Sequence, residues 1–148
     1  MTKIALGMIM SWLAFQVAAA EGDWMTDLAK AQEKAKAEKK LVLVDFTGSD
    51  WCPPCKALHK NVFSSEEFAE FAKKNLVLVE VDFPRKKEQS DQLKKANREL
   101  AKKYEIDGYP TVIVFDSSGK QLKKDVGYSG AGAKDYVAEL KKIKGESS

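Results

Sequence analysis

Cys52 and Cys55, separated by Pro53 and Pro54, are the only two cysteines in the chain. Two intervening residues are the spacing of a redox dithiol, in which one sulfur attacks and its neighbour can close a bridge to it. Leu41 to Phe46, just before the pair, is a short apolar, β-branched run that reads as a strand covered on both faces. Lys56-Ala57-Leu58-His59-Lys60, just after it, reads as a helix ending near Asn61. Cys52 therefore falls at a helix N-terminus, where the positive end of the helix dipole favours the thiolate, the reactive form in exchange. Cys55, one turn further in, is expected to be the more shielded. On this reading Cys52 attacks a substrate disulfide to form a mixed disulfide, and Cys55 resolves it, leaving Cys52 and Cys55 oxidised.

Other uses of the pair carry less weight. A static bridge between residues three apart closes a very short loop and removes little chain entropy, so it would stabilise weakly. Structural zinc takes four protein ligands, and beyond the two cysteines the chain offers a single histidine, His59. Copper(I) held between soft thiolates is the non-enzymatic alternative, a binding module rather than an enzyme; outside that role, His59 is a surface or packing residue. With no nucleotide-binding loop and no second cysteine pair, no cofactor is expected, and reducing equivalents must come from a partner.

The elements that position the pair follow from periodicity. Trp24, Leu28, Ala31 and Ala35 keep helical spacing through Lys39. Ser64 with Glu67 forms a capping box for a helix through Phe68, Phe71 and Ala72 that stops near Asn75. Leu76 to Asp82 is a second strand, and Pro84 marks a break. Leu93, Ala96, Leu100 and Tyr104 space out a helix that ends at Asp107-Gly108. Thr111 to Phe115 and Lys120 to Val126 form a hairpin around Asp116-Ser117-Ser118-Gly119, and Ala133, Val137, Leu140 and Ile143 mark a closing helix. That order implies an α/β domain, a mixed sheet with helices on both faces.

Length bounds the rest: 148 residues hold one domain with a modest core. Lys3, the uncharged run Ile4 to Val17, and Ala18-Ala19-Ala20 before Glu21 have the layout of a cleaved secretory leader over residues 1–20, leaving 21–148 as the working domain. The expected location is periplasmic or otherwise exported, where disulfides persist. The net charge of +3 comes from lysines interspersed with acidic residues, which describes a solvated surface and argues against nucleic-acid binding.

Leu43-Val44-Asp45-Phe46, Trp51-Cys52-Pro53-Pro54-Cys55-Lys56, Gly108-Tyr109-Pro110-Thr111 with Phe115, and Val126-Gly127 together resemble the thioredoxin superfamily in order along residues 24–144. Phe46 to Trp51 and Val62-Phe63-Ser64 resemble its exported bacterial members, the DsbH type of periplasmic disulfide reductase among them. The resemblance implies the thioredoxin fold with an added N-terminal helix, protein disulfides as substrates, a membrane-embedded electron donor and a monomer. It implies that Cys52 attacks and Cys55 resolves, and that Asp45 is a buried carboxylate beneath the resolving cysteine with a raised pKa, suited to accept its proton. Pro110 would follow a cis peptide bond and face the cysteines, and Trp51, Tyr109, Pro110 and Gly127 would meet the substrate. Compared with thioredoxin, one extra residue separates Asp45 from Cys52, Thr47 stands for a tryptophan, Lys60 for a helix-kinking proline, and Glu80 near a lysine. Glu80 would then raise the Asp45 pKa further.

The tetrapeptide also suggests a direction. Neither Pro53 nor Pro54 has an amide hydrogen, so only the Cys55 amide and the helix dipole are left to stabilise a Cys52 thiolate. A weakly stabilised thiolate belongs with a reducing potential; oxidase and isomerase remain the alternatives.

Overall fold

The computed structural model describes residues 23–148; the leader expected over residues 1–20 lies outside them. Five strands form one sheet in the order β1-β3-β2-β4-β5: β1 Trp24–Met25, β2 Leu41–Thr47, β3 Leu76–Asp82, β4 Thr111–Phe115 and β5 Gln121–Val126. β2 runs parallel to β3 and antiparallel to β4, and the β4–β5 hairpin closes one edge. Every residue of β2 is buried, because it has a strand on each side and helices on both faces. This explains why its sequence shows no polar alternation until Asp45.

Side chains nevertheless alternate between two cores. Leu41 and Leu43 of β2, Leu76 and Leu78 of β3, and Val112 and Val114 of β4 face one side. There they meet Leu58, Val62, Phe63, Phe68, Phe71, Val137 and Leu140, contributed by α2 Pro53–Leu58 and the turn after it, α3 Glu66–Asn75 and α5 Ala133–Ser147. Val42, Val44, Phe46, Val77, Val79, Val81, Ile113 and Phe115 face the other side, against α1 Leu28–Glu38, with Leu100 and Tyr104 from α4 Asp91–Lys103 and its end. Fully burying one such side chain stabilises by about 1.5–3 kcal/mol, so this two-sided packing fixes the height and tilt of β2. The cysteine pair is carried directly after β2.

Four expectations need correction. Trp24 does not belong to the first helix: Asp27 is its N-cap, with extended backbone and a carboxylate accepting from the Lys30 N–H. Trp24 and Met25 instead pair with Leu78 and Val79 as a parallel edge strand. Helix α3 is capped by Ser65, whose Oγ accepts from the Phe68 N–H, while Ser64 donates to the His59 carbonyl. In α4 the core-facing slot belongs to Asn97, its Nδ2 donating to the Asp82 carbonyl at 3.0 Å, and Ala96 is exposed. The helix carrying the cysteines does not stop near Asn61 but passes into a π turn, His59–Phe63. A π turn holds one residue more than an α turn; here His59 is exposed while Leu58, Val62 and Phe63 are buried.

Candidate active site

Cys52 ends the loop after β2 and is the N-cap of α2, with Pro53 and Pro54 at the first two helical positions. Those positions tolerate proline because their N–H groups have no intrahelical partner. Cys52 and Cys55 form a disulfide with their Cα atoms 5.2 Å apart. The first backbone amide after Cys52 that can donate is that of Cys55, and it does so, N to Cys52 Sγ at 3.3 Å. In this oxidised state the two cysteines are equally buried, 3% and 4% exposed. The expected greater shielding of Cys55 is absent, because the N-cap geometry folds the Cys52 sulfur back over the first turn. Pro53 and Pro54 are exposed at the tip.

The loop Gly48–Trp51 is held by a set of contacts to the end of β3 and the segment after it, more than 30 residues away in sequence. Ser49 donates its N–H and Oγ–H to the two oxygens of the buried Asp82 carboxylate, at 3.0 and 2.5 Å. The Asp50 carboxylate accepts the backbone N–H groups of Arg85, Lys86 and Lys87 at 2.9, 2.7 and 2.9 Å. Those three donors hold its pKa down at about 2. Trp51 donates its indole N–H to the Phe83 carbonyl at 2.7 Å and lies beneath the Arg85 guanidinium, 3.8 Å from the ring centroid. Gly48 passes so close under this indole that a Cβ there would come within 2.7 Å of Nε1. The sequence reading marked Gly48, Ser49 and Asp50 only as part of the Phe46 to Trp51 stretch that resembles exported members, and gave neither them nor Asp82 or Arg85 a role at the site. The other signal in this loop was the extra residue between Asp45 and Cys52.

The Tyr109–Pro110 bond is cis, as expected. Tyr109 packs edge-on against Trp51, centroids 5.8 Å apart, and against Phe83 at 5.4 Å. Trp51 and Tyr109 thus stand together beside the cysteines. The Pro110 carbonyl accepts from the Gly127 N–H at 2.7 Å. Gly127 has a φ of 85°, a left-handed conformation that favours glycine, at the point where the chain leaves β5. Among the described residues the main-chain N–H and C=O of Tyr109 take no backbone partner.

Asp45 lies on the core face shared with Leu43, the face that α2 and its π turn cover. It is 6% exposed, and its Oδ1 has no hydrogen-bond partner. Burial first, then the Glu80 and Asp82 charges, push its pKa up to about 8. Glu80 is its direct register partner on β3, so both side chains emerge on the same face. The Glu80 pKa is raised by burial and by Asp82, and pulled back by Lys87 and His59. His59, the candidate third metal ligand, is thus exposed and acts electrostatically on a carboxylate.

Residues 28–144 match the thioredoxin-like domain family. Over 125 residues the chain is 38% identical to the disulfide bond reductase DsbH of Chlamydia pneumoniae, covering 84% of this chain and 74% of that protein. The thioredoxin-related protein DsbJ of the same organism is 30% identical over 99 residues, which are 67% of this chain and 28% of DsbJ. A solved structure of a DsbH oxidoreductase superposes with a TM-score of 0.77 at 33% identity, covering 97% of this chain and 94% of the other. The oxidised C-terminal domain of Neisseria meningitidis DsbD shares the fold, with a TM-score of 0.58 at 20% identity over 81% of this chain and 98% of that domain. With the domain match spanning most of its length and the DsbH likeness extending through the cysteine loop, the chain belongs to the thioredoxin superfamily, as a DsbH-like thiol-disulfide oxidoreductase.

Proposed function

We propose that the protein is an exported disulfide reductase, residues 21–148 working as a monomer after removal of a leader over residues 1–20. The observation that carries the direction is the hydrogen bonding of Cys52: its sulfur accepts from the Cys55 N–H alone among nearby amides, since Pro53 and Pro54 have none to offer. The acidic groups of β2 and β3 near the pair, buried Asp45 and Asp82 and half-buried Glu80, add no positive potential. A thiolate with so little help is not strongly stabilised, and a strongly stabilised thiolate is what makes an oxidant of this type. The relative named a disulfide bond reductase supports the same direction.

In the proposed cycle Cys52 Sγ, as thiolate, attacks a disulfide in a protein substrate and expels one substrate thiolate. Cys55 then loses its proton to Asp45 and attacks the Cys52 sulfur, releasing the second substrate thiolate and leaving the Cys52–Cys55 disulfide. Trp51, Tyr109, Pro110 and Gly127 form the rim on which the substrate backbone lies, with the unpaired main chain of Tyr109 as its hydrogen-bonding partner. Reduction of the disulfide for the next cycle falls to a membrane-embedded donor, a role supported by similarity to a thiol:disulfide interchange protein DsbD from Actinobacillus pleuropneumoniae, 34% identical over 96 residues that make up 15% of that protein. Equilibration of the purified protein with glutathione tests the direction: a potential nearer about −270 mV than about −120 mV is expected, and one above about −180 mV overturns the reductase reading.

A further inference from the structure

Asp45 is flanked on its own face of the sheet by one residue from each neighbouring strand, Glu80 of β3 and Val112 of β4. Val112 is buried and apolar, as is Leu58 of α2 in the same core. Glu80 is the polar one of the two flanking residues, and it is half-buried, so it is the more water-exposed carboxylate of the two. Among the described residues, the other charged and titratable groups around the pair are Asp82 on β3, Tyr136 on α5, His59 on the π turn, and Lys87 and Glu88, which line a cavity with Glu80 and Asp82, Lys87 standing 3.5 Å from Asp82. Asp82 is already occupied by Ser49 and Lys87. Tyr136 is neutral throughout the working range, its pKa raised by burial and then by Asp45.

We propose that Glu80 is a positioning residue for the resolving step: with Asp45 it forms a two-carboxylate pair that carries a single proton, and it thereby sets the pH at which Asp45 can take the proton of Cys55. The proposal rests on the reading of Asp45 as the base of that step. Two carboxylates side by side with little water cannot both ionise freely, so ionisation of the more exposed one holds the proton on the more buried one. The causes of the shifts run in that order: Glu80 raises Asp45, whereas Asp45 is not among the groups that raise Glu80. The chemical step balances without further reactants. The Cys55 proton passes to an ionised Asp45 oxygen, the freed Cys55 electron pair forms the bond to Cys52 Sγ, and the bond between Cys52 and the substrate sulfur breaks to give substrate thiolate. Because Glu80 makes Asp45 a stronger base that ionises only at higher pH, the step should be slow in mildly acidic conditions and rise towards alkaline ones.

Single-turnover resolution of a preformed mixed disulfide between Cys52 and a model peptide, followed against pH, tests this in Glu80→Gln, Glu80→Asp and Asp45→Asn proteins. Carboxyl carbon NMR titration of Asp45 in the first two is the second readout. In Glu80→Gln the midpoints of both the rate profile and the Asp45 titration should fall by about one unit or more, and Glu80→Asp should restore them. If Asp45→Asn loses the inflection while Glu80→Gln keeps the wild-type midpoint in both readouts, the assignment of Glu80 is overturned. If Asp45→Asn keeps the wild-type profile, the reading of Asp45 as base is what fails, and the rate-setting role of Glu80 goes with it. An unshifted Asp45 titration in Glu80→Gln overturns the shared proton whatever the rates do.

Discussion

Replacing Asp45 by asparagine should make the protein more stable, and the size of the effect follows from its burial. Asp45 has a pKa near 3.8 in the unfolded chain and about 8 in the fold. At pH 7 the unfolded chain therefore carries an ionised carboxylate that must take up a proton on folding. At 1.36 kcal/mol per pH unit this costs at most about 4 kcal/mol. Asparagine keeps the volume and removes the proton uptake, while still placing a polar group where Oδ1 has no partner, so a gain of about 2–4 kcal/mol is expected. For a domain of this size that raises Tm by roughly 10 °C. The sign of the pH dependence is specific. Between about pH 4 and pH 8 the folded state binds more protons than the unfolded one, so wild-type stability falls as pH rises through that window and the asparagine variant escapes this loss. Urea unfolding of the oxidised proteins at several pH values should give a difference that is small near pH 4, grows with pH and levels off near pH 8. A variant no more stable at pH 7, or a difference flat across the window, would refute the reasoning.

Two further outcomes concern the clamp on the cysteine loop. Gly48→Ala should displace the Trp51 indole, cost about 1–3 kcal/mol by overpacking, and shift the Trp51 indole N–H resonance away from its hydrogen-bonded position; an unmoved resonance would mean that the loop yields instead of the ring. Asp50→Ala should be less stable than wild type at neutral pH, with a gap that closes as pH falls from about 4 to about 2, since a depressed carboxylate pKa stabilises above its unfolded value and that stabilisation is lost on protonation. Acid titrations followed by near-ultraviolet circular dichroism would show parallel curves if the three Asp50 hydrogen bonds contribute nothing.

Features encoded within a few residues of one another were readable from sequence. Leu76 to Asp82 is a strand with the predicted ends, and the Cys52 junction lies between strand and helix as expected, because apolar runs and cysteine spacing are local signals. The burial of Asp45 was suggested by its place in an apolar run, and its nearness to Glu80 by the resemblance to thioredoxin; the register of β2 against β3 makes the two direct partners. Trp24 misled because it stands four residues before Leu28, an accidental helical interval, whereas the pairing that claims it lies 54 residues away, at Leu78. Similarly, Ser49 and Asp50 look like ordinary loop residues until Asp82 and Arg85 are brought to them. Asn97 was missed because a polar residue took the slot that periodicity reserves for an apolar one; a carbonyl at the end of β3 made that exchange worthwhile.

The π turn at His59–Phe63 acts as a phase correction. A helix of unbroken pitch running on from Leu58 would keep Val62 in line and swing Phe63 aside, whereas the wider turn brings Phe63, five residues on from Leu58, into the buried stripe as well. Length is therefore information here. Deleting a single residue such as Asn61 would restore regular pitch and turn Val62 or Phe63 out of the core, unseating the far end of the helix whose near end carries the disulfide. The protein should tolerate most exchanges of exposed side chains in this segment and almost no change in its count.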